Sequence, residues 1–354
     1  MAYDKKITLD GINFINHVCT TNMSGIKRLN YATALSGKQN YSFPYSGPPF
    51  IDKIWTCNIK VPNNPNKIIS SATELAEALI YWFNKYSEIY GLDANVIAAQ
   101  AFAESGYLMW NYAGYNRKVG FGSTASGVNQ FTMSTVYGVI IINQYPVEPY
   151  MTPDEIAKIT AGLDPQTKYL QSSYIVGNNL DTWYPGHEIA WKNRPILHQN
   201  VIDNPDIMIK AQCRYMRYAA NKCDGLTSSS LFGYSRGPNG YALKSYTEAV
   251  QKCKKNETAE YLKEGLDYVM KIFGILGDKD NWLASKGLGP YYKPAPKIVD
   301  GKTIYYYFGY DENMGNSPKN LRLKETFSAY NSNSKQSNEL YPNNPPTTPT
   351  TTTT

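Results

Sequence analysis

The chain has 354 residues, 42% of them hydrophobic, which is enough to build one large core or two ordinary ones. Charged residues make up only 18%, below the roughly 25% usual for soluble globular domains, and the net charge is a mild +6. That charge suits an anionic surface, but with no Lys/Arg block and no zinc-finger spacing it argues against a nucleic-acid partner.

The first 18 residues hold no apolar h-region, so no secretory signal is expected. Residues 1–68 are rich in Asn, Thr, Gly and Pro and read as an N-terminal extension, residues 1–70, of loops, extended segments and a strand pair. Residues 71–90 read as an amphipathic helix, with Leu75, Leu79, Trp82, Phe83 and Tyr86 near 3–4 spacing. Glu74 and Glu77 sit in its early turns, where the macrodipole favours negative charge, and Gly91 ends it. Asp93 is a good N-cap for a second helix over residues 94–105, with Gly106 as its stop.

Residues 114–130 read as loop or a small sheet, and 131–142 as a helix with a strand-prone end. The apolar run 136–142 is far too short to span a bilayer, so no membrane contact is expected. Residues 145–200 are punctuated by Pro, Trp and Tyr, with a short helix over 153–161. Residues 205–221 read as helix, 222–240 as a Gly/Ser loop, and 245–254 and 257–273 as two more helices. Beyond residue 283 the chain reads as loop, a C-terminal extension over 284–340. It closes on a Thr/Pro tail, residues 341–354, that cannot bury a core. The fold class expected is predominantly α.

Five scattered cysteines with no C-x-x-C, and three histidines, read as free thiols with no metal site and no cofactor. His187 has no second ligand at suitable spacing and reads as an ordinary histidine. The 31 tyrosines suit carbohydrate stacking and protein interfaces equally.

Glu104 draws attention on physical grounds. It follows Gln100 by four residues, among Ala98, Ala99, Ala101, Phe102 and Ala103, in the last turn of its helix. Apolar neighbours and the negative end of the dipole both disfavour a carboxylate and raise its pKa. A glycosidase general acid needs that property, because it must be protonated to assist a leaving oxygen. Taken alone, a Glu flanking a helix end is the commoner reading.

The surroundings shift the balance. Residues 86–105 (YSEIYGLDANVIAAQAFAES) resemble the entry helices and Glu-Ser pair of the soluble lytic transglycosylases, relatives of goose-type lysozymes. Gly127-Val128-Asn129-Gln130 is similar at Gly and Gln to that family's Gly-Leu-Met-Gln loop. Gly233-Tyr234-Ser235-Arg236-Gly237-Pro238 is similar at Tyr, Gly and Pro to its third motif. Residues 204–221 resemble the helix placed ahead of that motif. The resemblance covers about residues 72–275, within a lysozyme-like, α+β domain over 71–283, and makes 145–200 an insertion. Departures are Val128-Asn129 for Leu-Met, Ser235 for Asn and Arg236 for Ala.

The resemblance implies cleavage of the β-1,4 bond between N-acetylmuramic acid and N-acetylglucosamine, with Glu104 as single acid/base and a 1,6-anhydro product. It implies that Ser105 and Tyr234 orient the carboxyl, and that Gln130 with the backbone of Gly127 and Val128 holds the N-acetyl group. Arg236 reads as a solvated arginine rather than a muropeptide contact. No Asp or Glu occurs over residues 105–147, which tilts the chemistry away from a paired-carboxylate hydrolase. Asp203, Asp206 and Glu188 remain candidates for a second acid. Tyr174, Trp183, Tyr184 and Trp191 line a glycan groove, pack the insertion on the core or dock a partner protein, the structural role being favoured.

The alternatives are a hydrolysing muramidase on the same fold and a non-catalytic wall-binding or virion structural protein. Without a secretory signal, the route to the wall is a bacteriophage particle or release at lysis. Peptidoglycan glycan strands and, in the virion version, phage tail proteins are then the partners.

Overall fold

The computed structural model describes residues 6–22, 30–32, 54–56, 58–107, 115–116, 121–123, 125–171, 174–175, 187–222, 227–237, 245–246, 248–249, 260–276, 296–299, 302–305 and 310–311. Helix accounts for 69% of them, so the chain is predominantly α. Among the described residues no helix is long and apolar enough to cross a membrane.

The two long helices expected around the candidate acid are present. Helix α2, counted after α1 at Leu9–Asn22, spans Ala72–Ile89, and α3 spans Ala94–Ser105. Local chemistry sets their ends. Ser71 Oγ accepts from the Glu74 N–H, while Glu74 Oε2 accepts from Ser70 N–H, an interlocking start to α2. At its far end Gly91 adopts φ +64°, the Leu92 N–H reaches the Ser87 carbonyl and the Gly91 N–H reaches that of Glu88. These bonds satisfy two of the carbonyls that a helix end orphans. Asp93 Oδ1 accepts from the Asn95 N–H at 2.8 Å and caps α3 as expected.

Among the described residues the further helices include α4 (Met133–Val136), continued by a π-helical turn at Tyr137–Ile141, α5 (Pro153–Thr160), a 3-10 turn at Thr167–Gln171, α6 (His187–Asp203), α7 (Pro205–Lys222), α8 (Thr227–Arg236) and α9 (Glu260–Leu276). A Thr152/Glu155 capping box and Pro at the first turn start α5. Strands are short and antiparallel: β1 (Asn30–Ala32) with β2 (Ile54–Thr56), β3 (Lys60–Val61) with β4 (Asn64–Ile68), β5 (Tyr115–Asn116), β6 (Phe121–Ser123) and β7 (Tyr174–Ile175) together, and β8 (Pro296–Val299), β9 (Lys302–Tyr305) and β10 (Tyr310–Asp311) together. Asn63, at φ +61°, sits in the turn between β3 and β4.

Four stretches differ from the sequence-based expectation. Residues 9–22, placed among loops and strands, form α1, which buries Phe14, Ile15, Val18 and Cys19. Residues 187–203 form a full helix although Pro195 lies within it; proline in a helix interior removes a backbone donor, which is why the run reads as broken. Residues 227–236, read as a Gly/Ser loop, are helical because residues 229–234 are all buried, and that tertiary burial overrides weak local propensity. Residues 296–311, read as loop, contain three paired strands. The Thr/Pro tail lies outside the described residues.

The chain divides into two compact units. One comprises Met1–Ile12, Asn84–Ala99 and Cys213–Thr354, and the other Asn13–Phe83 and Gln100–Gln212. In the first, Asn95 and Asn84 tie down the N-terminal segment. Asn95 Oδ1 accepts from the Thr8 N–H, its amide donates to the Lys6 carbonyl, and Asn84 Oδ1 accepts from Ile7 N–H. Gly265 of α9 meets Phe232 of α8 so closely that a Cβ would lie 2.5 Å from the ring, and Arg236 pairs with Glu264 at 2.7 Å.

The second unit holds an aromatic cluster. Phe14 meets Phe102 edge-on at 4.7 Å, and Tyr107 lies 5.5 Å from Phe102 and 6.0 Å from Phe83. Lys210, on α7, is buried and satisfied by Glu155 at 2.6 Å and the Tyr150 carbonyl at 3.1 Å. Cys19 and Cys213, one in each unit, are free thiols as expected. Burial pushes the Cys19 thiol up to about 12 and raises that of Cys213 as well.

Candidate functional site

Helix α3 delivers Glu104 in its last turn, half-buried, one turn beyond Gln100. Gln100 is fully buried and its Oε1 accepts from Gln212 of α7 at 3.0 Å, so the face of α3 that carries Glu104 is polar toward its end. The helix stops at Gly106, φ +64°, whose N–H returns to the Phe102 carbonyl. Tyr107 follows at φ +59°, an uncommon conformation for a bulky residue. Its side chain is 2% exposed and held by Phe14, Phe83 and Phe102, so packing supports the strained backbone.

The second candidate segment forms a tight turn. Ser126 and Phe131 pair as an isolated antiparallel bridge, with the Ser126 N–H on the Phe131 carbonyl. Between them Gly127 takes φ +79° and Gln130 φ +50°. The Gln130 side-chain amide donates to the Gly127 carbonyl at 2.9 Å, and its backbone N–H points at the same oxygen at 3.3 Å. A Cβ on Gly127 would lie 2.3 Å from Val201 Cγ1 of α6, so the turn meets α6 at its one left-handed glycine.

Ser105 joins the two segments. Its hydroxyl lies 2.7 Å from the Val128 carbonyl, 23 residues on, and 3.2 Å from the Ala101 carbonyl. Both partners are acceptors, so the single hydroxyl proton serves backbone oxygens. Ser105 thus fastens the turn to the end of α3, and the bonds its hydroxyl makes go to these two carbonyls where the resemblance implied the Glu104 carboxyl.

Asn129 supplies a further tie, its amide donating to the Met208 carbonyl of α7 at 2.8 Å. Val128 and Asn129 are both buried, each 1% exposed. Sequence reasoning named Asn129 only as a departure from the family pattern and did not foresee Met208 or Val201 at all. No signal in a single sequence pairs them.

Tyr234 belongs to the other unit. It is buried on α8, 5.2 Å from the Tyr215 ring and stacked at 6.4 Å on Tyr268. Of the possible second acids, Asp203 accepts from the Asn58 N–H at 2.7 Å, and burial pushes its carboxyl up. Burial likewise raises Asp206, in the first turn of α7. The side chains of Tyr174, Trp183, Tyr184, His187, Glu188 and Trp191 lie outside the described residues. Arg236 pairs with Glu264 at the surface. Among the described residues no group of three or more His, Cys, Asp or Glu is placed to hold a metal ion.

Comparisons with protein-family models, with curated proteins and with solved structures return no match.

Proposed function

We propose that the chain is a peptidoglycan lytic transglycosylase with a lysozyme-like helical core and Glu104 as its acid/base. The observation that carries this reading is the hydrogen bond from Ser105 to the Val128 carbonyl. It fastens the residue beside Glu104 to the turn that bears Gln130, so two segments singled out for their chemistry, far apart in sequence, meet in one unit. The left-handed backbone at Gln130 itself, and at Tyr107 two residues after Ser105, adds support, since such conformations concentrate at functional sites.

In this mechanism Glu104 donates its proton to the glycosidic oxygen as the bond from the N-acetylmuramic C1 breaks. The carboxylate then takes the proton of the C6 hydroxyl, whose oxygen closes on C1 to give the 1,6-anhydro sugar. The nucleophile belongs to the substrate and enjoys high effective molarity, so no second catalytic carboxylate is needed. Gln130 and the turn backbone hold the N-acetyl group. The setting proposed is a bacteriophage particle or lysis, with the virion version tested by whether purified virions contain the chain.

Purified sacculi incubated with the protein test the reading. Release of 1,6-anhydromuropeptides, read by mass spectrometry, supports it. Reducing-end muropeptides establish the hydrolysing muramidase instead. Intact sacculi leave the non-catalytic wall-binding alternative.

A further inference from the structure

The turn from Gly127 to Gln130 is held at three points by residues of its own unit. Gly127 abuts Val201 of α6, the Val128 carbonyl takes the Ser105 hydroxyl of α3, and the Asn129 amide donates to the Met208 carbonyl of α7. The third tie is chemically unlike the others. Asn129 is 1% exposed, and among the described residues its Oδ1 is buried with no hydrogen-bond partner. Reversing the amide gives no relief, because the Met208 carbonyl accepts only and must face the NH2 end. Buried polar groups are nearly always satisfied, and an open acceptor disfavours the folded state. An apolar side chain of similar length removes that open acceptor and gives up one hydrogen bond to a helix carbonyl. Fold stability alone therefore does not select an amide here.

We propose that Asn129 is a positioning residue, an amide retained at a cost in stability because it holds the turn against α7 so that Gln130 and the 127–128 backbone are set for the glycan. The proposal rests on the peptidoglycan reading above. Asn129 touches no reacting atom; it acts through Gln130 and the backbone beside it.

The full chain tests it as Asn129→Leu and Asn129→Met, the second tolerating an irregular gap better. Three quantities are read: apparent Tm, kcat and KM on soluble uncrosslinked glycan strands, and hydrogen exchange of the amides at 126–131. In at least one variant, Tm stays at or above the wild-type value. KM rises about tenfold, the scale of one lost hydrogen bond, while kcat changes far less, and the turn amides exchange about tenfold faster. A fall of several degrees in Tm in both variants makes Asn129 an ordinary structural residue and overturns the proposal. Unchanged turn exchange, or an unchanged KM, overturns it too. Wild-type protein that cleaves no glycan sinks the peptidoglycan reading alone, and the exchange data still decide whether Asn129 holds the turn.

Discussion

Gly127→Ala is the sharpest test of how the turn is built. At φ +79° an alanine sits in the left-handed region, which costs about 1–2 kcal/mol for an L residue. Its Cβ also falls 2.3 Å from Val201 Cγ1, well inside contact distance. Val201 is β-branched, buried and helical, so its rotamer cannot swing away, and such overpacking costs about 1–3 kcal/mol. The two effects sum to about 2–5 kcal/mol, or about 4–20 °C in apparent Tm at about 2–4 °C per kcal/mol. Thermal unfolding by circular dichroism reads it. The double variant Gly127→Ala/Val201→Ala separates the causes: the overlap is relieved, the backbone strain is not, and recovery beyond the cost of Val201→Ala alone reports the overlap. A Gly127→Ala protein that melts with the wild type refutes both the turn geometry and its seat against α6.

Ser105→Ala removes the tie between α3 and the turn. It should lower stability by about 1 kcal/mol and weaken glycan cleavage, read as apparent Tm and product release; unchanged activity would deny the hydroxyl any part in placing the turn. Asp206 gives a pH-dependent prediction. Burial raises its folded carboxyl above the unfolded value, so its contribution to stability is most favourable below the unfolded pKa and is lost as pH rises through the folded one. Asp206→Asn should therefore melt higher than wild type at pH 7.5, with the gain shrinking by pH 4; a variant less stable at pH 7.5 contradicts this. Buried Cys19 and Cys213, both with raised thiol pKa values, should resist iodoacetamide at pH 8 in the native protein and react fully once it is denatured, as peptide mass mapping will show.

The legible parts of the fold are those whose ends carry local chemistry. The bounds of α3 match the expected residues 94–105 because Asp93 caps one end and Gly106 the other. The capping box of α5 is readable for the same reason. Helices α1, α6 and α8 escaped notice because tertiary burial, not propensity, stabilises them: Phe14 and Ile15 bury a stretch otherwise rich in Asn and Thr, and α6 runs through Pro195. The candidate site was legible as a set of residue types and hidden as a network. Glu104, Gly127 and Gln130 could be named from pattern. That the Ser105 hydroxyl chooses the Val128 carbonyl, or that Asn129 reaches Met208, depends on contacts 23 and 79 residues apart in the chain, which no local pattern records.

The central claim is that Glu104 performs the chemistry. Glu104→Gln keeps the size and hydrogen-bonding reach of the side chain and removes its exchangeable acid proton. On purified sacculi the wild-type protein should release 1,6-anhydromuropeptides, while Glu104→Gln, at an unchanged apparent Tm, should lose at least about a hundredfold of that rate, the lower end for a general acid. Undiminished release by a folded Glu104→Gln protein would contradict the account.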